Sequence, residues 1–269
     1  MSQEFKATIT KRELFHPLYP KALMNFHEMP RGYVSDIISN QELENWTQWK
    51  HLRPITPPRP VFITAQTGAG KNYFITHNLR EYAKRNGERI LYVSNRVALD
   101  YQQKLELAQL THTKLPWNPN TTTWENMEAF ENVTVLTYHK LAEYLRDKDS
   151  AWFDSFGYVV LDECHFFYRD AFFNEKTWYI LKRIPQKFRF SVRIYMSATL
   201  EDVFEPIRYV EELKQTGECK PFPNSYRFPL DYSSYTSFFF SSLTQIEKLI
   251  KQEIQSREIS RSAGTSPVN

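Results

Sequence analysis

The segment 65–72 has the composition of a loop that binds phosphate groups. It reads AQTGAGKN and lies between a β-prone run and a helix-prone run. Glycines let the backbone turn tightly and aim several N–H groups inward, and the N-terminus of a helix adds positive partial charge. A lysine at the position of Lys71 reaches the β- and γ-phosphates of a nucleotide. We therefore predict these nucleotide-binding residues: Gln66, Thr67, Gly68, Ala69, Gly70, Lys71 and Asn72.

The segment departs from the pattern GxxxxGK[ST] at both ends. Ala65 replaces the first glycine, which is tolerated where φ is negative. Asn72 replaces the Ser or Thr whose hydroxyl ligates Mg²⁺, and its amide oxygen is a weaker and longer substitute. Asn72 remains a predicted metal ligand. A plain strand–turn–helix connection is the alternative interpretation of the segment.

A pair of carboxylates follows the apolar run 158–161. Ligands bind beyond the carboxyl ends of parallel strands, so Asp162 and Glu163 are expected at the same sheet edge as the loop. Asp162 can hold Mg²⁺, and Glu163 can orient and deprotonate an attacking water. Such a pair alone is equally typical of a solvated helix start, but the upstream loop favours catalysis. The predicted catalytic residues are therefore Asp162, Glu163 and Lys71.

Apolar runs alternate with helix-prone segments over the middle of the chain. Strands are predicted at 61–65, 90–93, 133–136, 158–161 and 193–196, and helices at 71–85, 97–110, 138–146 and 206–217. Apolar strands that alternate with helices are typical of a parallel sheet covered on both faces. The predicted fold is therefore α/β and doubly wound.

Proline-rich and polar stretches suggest the domain boundaries. Pro54, Pro57, Pro58 and Pro60 precede the first predicted strand, and prolines break helices and remove backbone donors. We predict an N-terminal extension over 1–58, a nucleotide-binding domain over 59–222, and a linker with a disordered tail over 223–269.

Composition limits the class of protein. The net charge of +3 permits a nucleic-acid partner without requiring one. The two cysteines, Cys164 and Cys219, exclude a disulfide framework. The N-terminus lacks a signal peptide, and no apolar run approaches the roughly 20 residues needed to span a bilayer. The expected location is cytoplasmic, with no membrane partner. Neither a zinc-ligand spacing nor a GxSxG nucleophile elbow occurs.

Three segments together resemble motifs I, II and III of superfamily 2 helicases. They are 67–71 (TGAGK), 162–165 (DECH) and 197–199 (SAT), and the second is similar to a DEAD/DEAH box with cysteine in its variable position. The resemblance implies the RecA-like ATP-binding lobe of an ATP-hydrolysing helicase or translocase. It also implies ATP and Mg²⁺ as cofactors and DNA or RNA as partner.

The resemblance further implies a coupling role for three residues. In the family, motif III contacts the box and relays nucleotide state to the nucleic-acid side, so His165, Ser197 and Thr199 would form that link. Taken alone, the segment 197–199 is better interpreted as a helix N-cap, because Glu201 and Asp202 would complete a favourable first turn.

Weaker matches suggest nucleic-acid contacts. Arg96 follows the second predicted strand, and a guanidinium pairs well with phosphate oxygens. Thr137 and Tyr138 follow the third strand, where related helicases carry a Thr-Tyr before a helix. A tyrosine there can stack on a base, but such a residue more often packs. An exposed arginine without a partner and a packed tyrosine are the alternatives. Gln48 and Trp49 lie at a suitable distance upstream for adenine, although the rest of a Q-motif is absent.

The family also carries a second RecA-like lobe that supplies an arginine to the site. Residues 235–269 resemble the crossing into that lobe, so the chain is expected to be truncated, to bind ATP and to hydrolyse it poorly. A phage terminase-type DNA-packaging ATPase is one alternative function. A non-enzymatic remnant that binds nucleotide or nucleic acid is the other.

Overall fold

The computed structural model describes most of the chain from Phe26 onward. The described residues are 26–47, 58–95, 97–114, 117–118, 123–124, 127–169, 175–200, 203–211 and 224–229. Residues 235–269, which resemble the crossing into a second lobe, lie outside these ranges. None of the described helices is long and apolar enough to cross a membrane.

Ten short strands make up the sheets in the described ranges. They are β1 (His27–Glu28), β2 (Val61–Thr64), β3 (Ile90–Ser94), β4 (Trp117–Asn118), β5 (Thr123–Trp124), β6 (Ala129–Phe130), β7 (Val133–Thr137), β8 (Tyr158–Leu161), β9 (Val192–Ser197) and β10 (Ser225–Arg227). Eight of them form one sheet in the order β1-β10-β2-β9-β8-β3-β7-β6, and β4 pairs with β5 separately. Neighbours in the large sheet are parallel except for the β6–β7 pair.

The helices lie between the strands in sequence. They are α1 (Val34–Ile37), α2 (Asn40–Thr47), α3 (Lys71–Tyr73, Phe74–Leu79 and Arg80–Arg85 in succession), α4 (Val97–Leu110), α5 (Tyr138–Asp147), α6 (Ser150–Asp154), α7 (Phe166–Arg169), α8 (Glu175–Lys187) and α9 (Phe204–Val210). The middle part of α3 is a π-helix.

The central strands are buried on both faces, which confirms the predicted doubly wound α/β fold. Alternate side chains of a strand point to opposite faces of a sheet. In β8, Tyr158 and Val160 accordingly join one hydrophobic layer, while Val159 and Leu161 join the other. Because both faces need cover, the strands are apolar throughout instead of alternating with polar residues.

Some helix predictions were wrong or incomplete. Helix α9 begins at Phe204 and ends at Val210, whereas the pattern predicted a start at Pro206 and an end at residue 217. Pro206 lies in the first turn, where its missing N–H breaks no helical hydrogen bond. The sequence analysis also did not predict α8 or the short helices α1, α2, α6 and α7.

The sheet also takes in strands from both flanking segments. β10 and β1 extend it beyond β2, and both lie outside the range 59–222 expected for the nucleotide-binding domain. The Tyr226 hydroxyl donates a hydrogen bond of 2.6 Å to Glu42 and accepts one of 2.9 Å from the Trp46 indole. These bonds connect β10 to α2, while the division into three segments stays a prediction.

Candidate functional site

The order of the strands brings the three motif segments together. β9 lies between β2 and β8, and all three run parallel. Their carboxyl ends therefore meet at one edge of the sheet, where ligands bind in folds of this kind. The Ala65 N–H donates to the Ser197 carbonyl at 3.1 Å, and the Cys164 N–H donates to the Met196 carbonyl at 3.0 Å. The backbone thus connects the loop and the box to the end of β9.

The conformation of the loop depends on its glycines. Gly68 and Gly70 have φ values of 86° and 77°, in the left-handed region that side chains disfavour. A Cβ atom at Gly70 would also lie 3.2 Å from the Cβ of Tyr33. Ala65 is not among the described residues with positive φ, which explains why alanine is tolerated there.

Lys71 lies beneath the loop with its ammonium group directed at backbone oxygens. Its side chain is buried, and Nζ donates to the carbonyls of Ala65 at 2.7 Å and Gln66 at 3.1 Å. Within the described residues, no carboxylate forms a salt bridge with it. The ammonium charge therefore remains available for an anionic ligand at this edge.

Asp162 is buried at the end of β8, with an exposed fraction of 2%. Its Oδ1 accepts a hydrogen bond of 3.0 Å from the Glu163 N–H, and its Oδ2 lies 3.2 Å from the Tyr92 hydroxyl. Burial and the neighbouring charge of Glu163 raise the pKa of Asp162 to about 6, against the opposing effect of Lys71. A bound cation would favour the ionised carboxylate.

The predicted metal ligands Asn72 and Asp162 lie on either side of one hydroxyl group. The Tyr92 hydroxyl donates to Asn72 Oδ1 at 3.0 Å as well as to Asp162 Oδ2, and a single hydrogen cannot bond both fully. The two oxygens therefore keep acceptor capacity, and oxygen donors suit Mg²⁺. Within the described residues, no group of three His, Cys, Asp or Glu could hold a metal alone. Mg²⁺ usually binds one or two protein groups together with phosphates, and Asn72 and Asp162 would be such a pair.

Glu163 and His165 form a contact chain with the end of β9. His165 Nδ1 lies 3.0 Å from Glu163 Oε2 and 3.0 Å from Ser197 Oγ. The Thr199 N–H donates to the same Ser197 oxygen at 3.0 Å. The structure thus brings together the residues predicted to couple the box to motif III. Glu163 has a φ of 51°, a left-handed conformation that is costly for a side chain with a Cβ atom.

The residues predicted to contact nucleic acid lie in different environments. Tyr138 is buried, stacks on Phe166 at 5.0 Å, and donates from its hydroxyl to the Asp162 carbonyl at 2.9 Å. The expected stacking of Tyr138 on a base is therefore corrected, because its ring belongs to the core. Thr137 is half-buried, and its side chain caps α5 by accepting from the Lys140 N–H. Arg96 lies outside the described residues.

The sequence analysis missed the segment that borders the loop. The Val34 N–H donates to the Ala69 carbonyl at 2.9 Å, and Asn78 Nδ2 donates to the Ser35 carbonyl at 2.7 Å. Tyr33 is 58% exposed beside Gly70. Helix α1 is too short to show a periodic pattern that a sequence analysis could detect. The exposed Tyr33 beside the loop is the feature that suggests a role for this segment. Gln48 and Trp49, considered for adenine, lie outside the described residues.

Comparisons with known proteins found a family model and similar solved structures. A family model described as "Type III restriction enzyme, res subunit" matches residues 29–202, more than half of the 269 residues. One crystal structure of the UvsW helicase from bacteriophage T4 aligns at 14% identity and a TM-score of 0.43, over 71% of this chain and 67% of that chain. A second T4 UvsW structure aligns at 16% identity and a TM-score of 0.43, over 64% of this chain and 37% of that one. No curated protein sequence matches the chain.

The family match includes the loop, the box and the end of β9. These are the segments that the sheet places at one edge. The chain therefore belongs to the family of the type III restriction enzyme res subunit and carries the RecA-like ATP-binding lobe of a superfamily 2 helicase.

Proposed function

We propose that this chain binds ATP with Mg²⁺ at the loop 65–72 and hydrolyses the bond between the β- and γ-phosphates, giving ADP and phosphate, while acting on DNA or RNA. One observation carries the proposal. The loop that carries the buried ammonium group of Lys71 follows β2, and the carboxylates of Asp162 and Glu163 follow β8. Only β9 lies between these two parallel strands, so both sets of charges lie at the same edge of the sheet. Opposite charges are thus available for phosphate and for a cation at the same edge.

Phosphate binding would replace the backbone carbonyl oxygens that now accept hydrogen bonds from Lys71 with phosphate oxygens. Lys71 now donates to the carbonyls of Ala65 and Gln66, which are neutral acceptors. Phosphate oxygens carry negative charge, so they attract the ammonium group by a Coulombic interaction that neutral carbonyls lack. The ammonium group would therefore turn toward the nucleotide, and the loop N–H groups would bind the remaining phosphate oxygens.

Asp162 and Asn72 are the residues that would hold Mg²⁺. When bound, Mg²⁺ neutralises part of the phosphate charge. Glu163 would orient the attacking water and take its proton, since its carboxylate is half-buried beside Asp162. His165 contacts both Glu163 and Ser197, so a change at the phosphate would alter the end of β9. The route from there to the nucleic acid through Thr199, Thr137 and Arg96 is part of the proposal.

Efficient turnover would need a second RecA-like lobe. The transferring phosphoryl group carries developing charge, and an added arginine accelerates P-loop enzymes by roughly 10³–10⁵. Lys71 is the cation placed at the phosphate loop within the described residues. We therefore expect a second lobe that carries such an arginine, together with polynucleotide, to stimulate ATP hydrolysis.

The test replaces the lysine at the loop. Lys71→Ala removes the side-chain charge aimed at the phosphates, so ATP affinity measured by calorimetry should fall by at least about a hundredfold. The matched control is Lys84→Ala on the same helix, where the lysine is half exposed and pairs with Glu131. The control should bind like the unaltered chain. Unchanged affinity in Lys71→Ala would refute the assignment of the loop.

A further inference from the structure

Tyr92 is a polar residue inside an otherwise apolar strand. It is fully buried on β3, and it is the register partner of Val160 on β8. Residues two apart on a strand point to the same face, so Asp162 follows Val160 toward the side on which the Tyr92 ring lies. The hydroxyl consequently reaches Asp162 Oδ2 at 3.2 Å and Asn72 Oδ1 at 3.0 Å.

Gln103 orients the hydrogen of the Tyr92 hydroxyl group. Its Nε2 donates to the Tyr92 oxygen at 2.7 Å, and the Gln103 side chain is 1% exposed, so water does not compete for it. A hydroxyl has one hydrogen to give. With its oxygen already accepting from Gln103, that hydrogen is directed at Asn72 and Asp162.

A side-chain amide in the loop needs such an anchor. A serine or threonine hydroxyl sits one bond from Cβ, whereas the Asn72 oxygen lies one bond farther and turns about an additional torsion. An unanchored amide would spend part of its time directed elsewhere. The Tyr92 hydrogen bond selects the orientation in which Asn72 Oδ1 lies on the same side as the Asp162 carboxylate.

We propose that Tyr92, oriented by Gln103, is a positioning residue that holds Asn72 and Asp162 as a pair of divalent-cation ligands and so compensates for the hydroxyl that the loop lacks. The inference rests on the proposed function. It concerns the affinity for the cation rather than the affinity for the nucleotide itself.

The experiment measures the Mg²⁺ dependence of nucleotide binding in the full chain. A fluorescent ATP analogue is titrated at increasing Mg²⁺ and also in excess chelator. Tyr92→Phe keeps the ring and removes the hydroxyl, so binding without Mg²⁺ should stay within about twofold, while the Mg²⁺ concentration for half of the effect should rise about tenfold. Tyr158→Phe is the matched control, because Tyr158 is equally buried at the amino end of β8. It should leave both measurements unchanged.

A rescue variant separates positioning from general packing. Threonine at position 72 supplies a hydroxyl that needs no anchor, so Asn72→Thr combined with Tyr92→Phe should regain the Mg²⁺ requirement of the unaltered chain. Gln103→Leu leaves the Tyr92 hydroxyl in place without its orienting donor. It should shift the Mg²⁺ requirement in the same direction, and it provides the test if Tyr92→Phe does not fold.

The outcomes distinguish this inference from the proposed function. An unaltered chain that binds no nucleotide refutes both. Mg²⁺-dependent binding that is the same in the unaltered chain, Tyr92→Phe and Gln103→Leu overturns the inference alone. Equal losses with and without Mg²⁺, which Asn72→Thr fails to restore, would also overturn it, because Tyr92 would then be structural.

Discussion

Both edges of the central sheet bury charged groups, but these groups have different hydrogen-bond partners at the two edges. At the amino edge, Arg193 donates from Nε and Nη2 to the carboxylate of Glu211 at 2.7 and 2.8 Å, and also to the carbonyls of Phe188, Ser191 and Pro58. At the carboxyl edge, Lys71 donates to the backbone carbonyls of the loop, and Asp162 Oδ2 shares the Tyr92 hydroxyl hydrogen with Asn72.

The difference separates a structural cluster from a ligand site. A buried charge that meets its counter-charge and fills its hydrogen bonds has no capacity for a further partner. A buried carboxylate with a raised pKa and an ammonium that lacks a carboxylate both become more stable when a ligand of opposite charge arrives. The amino edge thus stabilises the fold, and the carboxyl edge keeps charges available at a cost in stability.

The largest expected effect lies at the carboxyl edge. Glu163→Gln keeps the size of the side chain but removes the base, so ATP turnover should fall by about 10²–10⁴ in the assembly that hydrolyses ATP. ATP binding should persist, because Glu163 is not among the predicted phosphate ligands. Turnover with polynucleotide and calorimetric affinity are measured side by side, with the exposed Glu44→Gln as control. Turnover close to that of the unaltered chain would make Glu163 a structural residue.

The next effect tests the amino edge. Glu211→Ala leaves the buried guanidinium of Arg193 without its counter-charge, and breaking such a pair costs about 3–5 kcal/mol of unfolding free energy. Urea unfolding measures this loss. Glu205→Ala on α9 breaks the more exposed pair with Arg208 and should cost about 1 kcal/mol or less. A small loss in Glu211→Ala would contradict the structural assignment of this edge. ATP affinity of the folded fraction should be unchanged.

The sequence was sufficient for the parts of the site that lie at strand ends. The loop 65–72, the box 162–165 and the segment 197–199 each follow an apolar run, and parallel strands bring such segments to one edge. Their order along the chain therefore predicted both the fold and the residues that meet.

The polar contacts behind those segments could not be predicted. The Tyr92 hydroxyl joins residues 20 and 70 positions away in sequence, and a tyrosine in an apolar strand is equally typical of the core. Tyr138 was misassigned for the same reason, because the sequence does not show on which side of a helix start the ring will pack. Helix α1 makes too few turns to leave a pattern, although it contacts the loop.

The smallest expected effect concerns the free-energy cost of burying the ionised carboxylate of Asp162. Burial raises its pKa to about 6 from the usual 3.8. Since the folded-state value is the higher one, the folded chain binds the proton more tightly than the unfolded chain between these pH values. The stability that this proton provides is therefore lost as the pH rises through about 6.

Asp162→Asn removes this titration from the metal-free chain. The unfolding free energy of the variant minus that of the unaltered chain should rise by about 1 kcal/mol between pH 5 and pH 7.5. Urea titrations in excess chelator at both pH values measure the difference. Glu143→Gln is the control, because Lys140 lowers the pKa of this exposed carboxyl and places its titration below that range. A difference that stays flat or falls with pH would show that the buried carboxylate is already stabilised. The carboxyl edge would then resemble the amino edge, and Asp162 would not be a metal ligand. In that case Asp162→Asn should retain Mg²⁺-dependent ATP binding, whereas loss of that binding is expected if Asp162 holds the cation.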